Sequence, residues 1–181
     1  MKYLKQSAAT IMLLSTTSFA HAQDDGFYGA LGVSTYEFKS YGADIKLGYN
    51  MNKNFGVEVQ GIVGLSTDSR PISEAEDAAT LSIKPEYTIG AFAVGRLPLS
   101  ENIDLLARGG VHNTRTNIQI SNVLGTNVDE DKTGLAAGAG LQYNLDTQNG
   151  LRLDYTYLDN NSSDFGTRGQ DVISLSFLRK F

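Results

Sequence analysis

From residue 27 onward, apolar and polar residues alternate with a period of two in one segment after another, and polar or glycine-rich stretches break each run. That period is the signature of a β-strand whose two faces meet different surroundings. The plainest run is 41–51. Tyr41, Ala43, Ile45, Leu47, Tyr49 and Met51 share one face, and Gly42, Asp44, Lys46, Gly48 and Asn50 the other. After a turn at Asn52-Lys53-Asn54 the pattern repeats over 55–66, with Phe55, Val57, Val59, Val63 and Leu65 opposing Glu58, Gln60, Ile62 and Ser66. Further strands are predicted at 27–37, 80–97, 103–120, 133–145, 151–158 and 170–181. In the fourth and fifth segments Phe92, Val94 and Leu106 fall on the otherwise polar face. A β-bulge or a shifted phase would account for them.

The connections alternate in length. Those at 52–54, 98–102 and 146–149 are short, whereas those at 67–79, 121–132 and 159–169 are long, polar and mostly acidic. Only the first turn on the long side, Phe38-Lys39-Ser40, is short. Short turns on one rim and long loops on the other describe an all-β, eight-stranded, antiparallel up-and-down transmembrane β-barrel. Alternation alone leaves open which face points outward: inward apolar faces make a soluble barrel, outward ones a membrane barrel. Three features favour the membrane. The polar face is rich in Gly, Asn, Gln, Glu, Lys and Arg, which suits a narrow hydrated or ion-paired interior. Phe27, Tyr41, Tyr49, Phe55, Tyr155, Tyr157, Phe177 and Phe181 lie near strand ends, where interfacial girdles form, although Trp is absent. The closing strand also keeps Ile173, Leu175, Phe177 and Phe181 in phase.

The first residues read differently. Lys2 and Lys5 precede a short apolar run at 8–14, and Ala20-His21-Ala22 is an A-x-A cleavage site. We therefore expect a signal peptide at 1–22, cut after Ala22 with Ala20 at the −3 position, and a barrel domain at 23–181. Without Lys2 and Lys5 the chain carries 13 basic and 20 acidic residues, a net charge of −7. That balance argues against nucleic acid as a partner. There is no Cys, so neither disulfides nor thiolate chemistry is expected, and beyond the leader the one His is His112. No cofactor is expected.

Several short motifs carry a resemblance. They are Phe27-Tyr28-Gly29-Ala30-Leu31-Gly32, Leu47-Gly48-Tyr49-Asn50, Asn54-Phe55-Gly56-Val57-Glu58, Leu97-Pro98-Leu99 and Gly138-Ala139-Gly140-Leu141-Gln142-Tyr143. In their order and spacing the chain resembles the small eight-stranded outer-membrane barrels, that is, the OmpA transmembrane domain and the OmpX/Ail group, with the outer membrane protein β-barrel domain or porin-like family as the nearest match. The resemblance covers 27–181. It implies a home in a Gram-negative outer membrane, with lipid and lipopolysaccharide as surroundings. It also implies an assembly machinery that reads Ile173, Leu175, Phe177 and Phe181 as a terminal signal. Arg179 departs from the pattern, since the third residue from the end of such barrels is usually aromatic or apolar. No peptidoglycan-binding domain follows the barrel, so the anchoring role of full-length OmpA proteins is not implied.

With this phase Asp44, Lys46, Glu58, Lys84, Glu86, Arg108, Arg152 and Asp154 point into the lumen. Side chains just fill the interior of eight strands, so these charges must pair or be hydrated. The expected outcome is a static ion-pair plug, with a gated or conducting lumen as the alternative, and the first hairpin places Lys46 and Glu58 near one another. Some small barrels are lipid A hydrolases, but no nucleophile, acid and oxyanion donor are spaced around His112, so catalysis is not expected. Asp129-Glu130-Asp131, Glu74, Glu76 and Asp77 lack the spacing of a dedicated calcium loop and read as a solvated acidic rim. The expected role is envelope integrity with surface contacts through 67–79, 121–132 and 159–169. The alternatives are a narrow low-conductance channel and a loop-mediated adhesin. A sheet edge that extends the fourth and fifth strands above the membrane would favour the adhesin, and Pro85 places the top of the fourth strand outside lipid.

Overall fold

Period-two alternation yields strands wherever the sequence shows it. The computed structural model describes residues 25–66, 68–71, 80–121, 126–159 and 169–181; at 68–71, 80–85, 118–121 and 126–130 the backbone alone is described. The leader at 1–22, with Ala20 and Ala22, lies outside the described residues. The strands are β1 (Gly26–Tyr36), β2 (Ser40–Asn50), β3 (Phe55–Gly64), β4 (Asp68–Pro71), β5 (Thr80–Pro98), β6 (Ile103–Ser121), β7 (Thr126–Asn144), β8 (Asn149–Leu158) and β9 (Gln170–Lys180). Each described pairing is antiparallel. β1 pairs with both β2 and β9, and β3 pairs with β5, so the sheet closes on itself. β3 and β4 follow one another along β5, and the ring is therefore an eight-stranded barrel.

The open choice of face is resolved by exposure. Leu31 is 59% exposed, while Lys46 across the same wall is 0% exposed. Leu47, Val57, Val59, Val111, Leu153, Leu175 and Phe177 all face out, and so does every aromatic expected in the girdles. This inverts a water-soluble barrel and is the arrangement lipid requires. Closure leaves no free sheet edge around the ring, so the wall has its backbone groups paired within the strands.

Three details differ from the pattern-based reading. The stretch 121–132 is not a long loop: β6 runs to Ser121 and β7 starts at Thr126, because the β ladder continues beyond the apolar band. Part of 67–79 is strand β4. In addition, Phe92, Val94 and Leu106 do face inward, and no bulge is involved. They pack with Tyr36, Ile62, Ala136, Leu158 and Val172 as an apolar part of the interior. A bulge does exist, but it lies at Pro85/Tyr87, where the register slips by one. The remainder of the expected loops, 67, 72–79, 122–125 and 160–168, and with it Glu74, Glu76 and Asp77, lies outside the described residues, as do the side chains of Asp129 and Glu130.

Candidate functional site

Even-numbered residues of β2, β3, β6 and β8 meet in the lumen, as alternation from Asp44, Glu58, Arg108 and Arg152 requires. Six charged side chains form one network there. Lys46 Nζ lies 2.6 Å from Asp44 Oδ2 and 3.4 Å from Asp154 Oδ2, with Ser174 Oγ at 3.3 Å and Ser176 Oγ at 3.4 Å. Arg152 donates from Nε to Asp154 Oδ1 at 2.8 Å and from Nη1 to Glu58 Oε2 at 2.7 Å. Arg108 Nη1 stands 3.3 Å from Glu58 Oε1, its Nη2 donates to Gln60 Oε1, and its guanidinium lies 3.6 Å over the ring of Phe92.

Neutral side chains complete the set. Tyr28 donates to Glu58 Oε2 at 2.7 Å, Ser34 to Asp44 Oδ2 at 2.9 Å, and Gln60 Nε2 to both oxygens of Asp44 at 3.0 Å. Every ionised group thus faces an opposite charge, a condition for tolerating buried charge, although Arg108 Nε and Nη1 and Asp154 Oδ2 make no hydrogen bond among the described residues. Gly48 makes the Tyr28 contact possible. It faces Tyr28 on β1 and Glu58 on β3, and a Cβ there would lie 2.2 Å from Tyr28 Cζ. The phenol lies across the bare backbone of β2 to reach the third strand.

Six of the eight residues expected in the lumen therefore come together: Asp44, Lys46, Glu58, Arg108, Arg152 and Asp154. Glu86 does not join them. It sits at the bulge, and its carboxylate meets Arg115 Nε at 3.3 Å, both side chains being partly exposed. The same slip puts Lys84 opposite Asn117, in the odd-numbered series of β6, whereas the even series faces the lumen. The side chain of Lys84 lies outside the described residues. The expected Lys46–Glu58 contact is also replaced. The hairpin register sets Gln60 opposite Lys46, and the amine turns to Asp44 and Asp154 instead.

At one end of the lumen Arg96 donates to Asn50 Oδ1 at 3.1 Å, and Asn144 donates to Asp104 Oδ2 at 3.0 Å. Arg96, Asp104 and Asn144 line a mouth of about 480 Å³ with Lys53, Glu101 and Lys180. At the other end Tyr36 donates to Thr88 Oγ1 at 2.9 Å, Thr88 and Thr114 share a bond of 3.0 Å, and His112 Nδ1 lies 3.2 Å from Thr114 Oγ1. Sequence reasoning missed Tyr28, Tyr36, Gln60, Gln142 and the inward Ser and Thr residues. Their phase marked them, but as neutral residues they carried no separate signal. Among the described residues no group of three acidic or His side chains is placed to hold a metal.

A family model described as the outer membrane protein β-barrel domain matches residues 7–181. Among curated proteins no relative matches the chain. Ail, the attachment invasion locus protein of Yersinia pestis, has a similar fold, with a TM-score of 0.58 at 20% identity over 87% of this chain and 99% of its own. So has the N-terminal β-barrel domain of OprF from Pseudomonas aeruginosa, with a TM-score of 0.61 at 12% identity over 88% and 98%. Neisserial surface protein A gives a TM-score of 0.54 at 18% identity over 86% and 96%. Since the family model runs across every strand of the ring and the ring turns its apolar face outward, the chain belongs to the outer membrane protein β-barrel domain family.

Proposed function

We propose that this outer-membrane barrel is sealed, and that it serves envelope integrity and surface contact rather than transport or catalysis. The observation that carries the reading is the lumen network. Three cations, Lys46, Arg108 and Arg152, and three anions, Asp44, Glu58 and Asp154, are buried together with matched charge. Removing one partner from such a set costs about 3–5 kcal/mol, because it strands a buried charge, so opening that separates the partners is disfavoured. Liposomes containing the refolded protein should show no faster swelling in small sugars than protein-free liposomes. Swelling at a porin-like rate would overturn the reading.

A second feature supports the surface-contact part. β5, β6 and β7 have 19 residues each, against 11 in β1 and β2. The difference corresponds to about 27 Å of strand. Among the described residues, β7 before Gly134 has ladder pairing with β6 alone, since Asp159 N–H still reaches Leu135 O beyond the β8 ladder that begins at Ala136. Such an edge suits pairing with an extended polypeptide. Ail has been seen in complex with the heparin analogue sucrose octasulfate. This chain, at −7 beyond its leader, is poorly suited to a polyanion. The same reading takes 1–22 as an export leader and Ile173, Leu175, Phe177 and Phe181 as the segment presented to the assembly machinery. Lipid and lipopolysaccharide are then the barrel's surroundings.

A further inference from the structure

His112 is buried at the end of the lumen away from the short turns, and it bridges three strands. Its partner positions are Gly90 on β5 and Gly134 on β7. Its Nε2 lies 3.3 Å from the carbonyl oxygen of Asp159, just past the end of β8. The bridge depends on the missing side chain of Gly134. A Cβ there would lie 1.7 Å from Asp159 O and 3.1 Å from His112 Nε2. A carbonyl can only accept, so Nε2 carries the proton. Nδ1 then accepts from the Thr114 hydroxyl, Thr114 accepts from Thr88, and Thr88 accepts from Tyr36. The chain from Tyr36 to Asp159 is satisfied in one direction, with every hydroxyl donating once, and it requires a neutral imidazole.

We propose that His112 is a pH-sensitive latch that ties the outer end of β8 to β6 when neutral and weakens that tie when protonated. A proton on Nδ1 turns an acceptor into a donor. Thr114 must then donate to Thr88, and whether or not the chain reverses as far as Tyr36, one hydroxyl proton loses the partner it had in the neutral arrangement. Among the described residues no carboxylate forms an ion pair with the ring. β5 and β7 present Gly90 and Gly134, β1 presents the Tyr36 phenol at the far end of the chain, and β7 places Lys132 opposite Thr114. The Asp159 carboxylate is the nearby anion, and the contact it makes with the ring is through its backbone carbonyl. The stability the latch contributes is whole above the unfolded imidazole value of about 6.5 and declines as pH falls below it.

His112 is the one histidine in 23–181, so nitrogen NMR of the refolded 23–181 protein in micelles reads it without overlap. The expected result is a single Nε2–H tautomer at pH 7.5. A dominant Nδ1–H form or a charged ring at that pH overturns the proposal. The urea midpoint should fall from pH 7.5 to pH 5.5, and the fall should be at least halved in His112→Gln. An equal fall in that variant would also overturn it. Gly134→Ala should lower the midpoint already at pH 7.5 and show a smaller acid shift, whereas an unchanged acid shift would place the sensitivity elsewhere.

Discussion

Glu58 is the residue on which the lumen network converges, since it accepts from Tyr28 and Arg152 and faces Arg108. Glu58→Ala leaves two buried guanidinium groups short of an anion, and we expect a loss of about 3–5 kcal/mol in urea unfolding. The neighbouring Gly48 has a separate role. Gly48→Ala would push against the Tyr28 ring and is expected to cost about 1–3 kcal/mol. Much of that cost should vanish in a Tyr28→Ala background, so a double-mutant cycle by urea titration tests the contact itself. Full additivity would show that the glycine matters for another reason. Neither partner choice was legible in the sequence. Glu58 and Arg152 are 94 residues apart, and they meet only because the ring closes with one particular stagger. Alternation shows that a residue faces the lumen without showing what stands across from it.

At the scale of strands and turns, more could be read beforehand. The faces of β2, β3 and β8 follow from period two, because their buried charged residues all lie on one side, although Ile62 and Leu158 join them inside. β5 and β6 were ambiguous because part of the interior is itself apolar, with Phe92, Val94 and Leu106 inside. The bulge at Pro85/Tyr87 was equally hidden, and with it the displacement of Glu86 from the lumen series. From sequence the top of β7 reads as loop because it is polar and acidic, although a ladder above the apolar band has no need of an apolar face. Turns repeat the logic in miniature. In the β7–β8 turn Asp146 accepts from Asn149 Nδ2 and from the backbone N–H groups of Gln148 and Asn149, and these bonds, the side-chain one foremost, hold its carboxyl below the usual carboxylate range. A lowered value means stability that is present above the unfolded pKa, near 3.9, and is lost as pH falls through the folded one. Amide protection at Gln148 and Asn149 should therefore drop on acidification below pH 4. Asp146→Ala should remove the extra protection at pH 7.

For the whole molecule, the balance of burial decides the function. Apolar side chains cover the outside, as lipid requires, and a charge-neutral network lies inside, on which the proposal of a closed lumen rests. Matched charge also explains how charged side chains can be nearly free of solvent: Lys46, Arg152 and Asp154 are each 0–1% exposed. What remains for contact with the surroundings is the rim, above all the long β5–β7 ladder.

Single-channel recording in planar bilayers tests that closed lumen most directly, with the refolded 23–181 protein measured beside Glu58→Ala. The account predicts no stable conductance from the native sequence and intermittent openings once Glu58 is removed. A steady conductance in the native protein that Glu58→Ala leaves unchanged would contradict it.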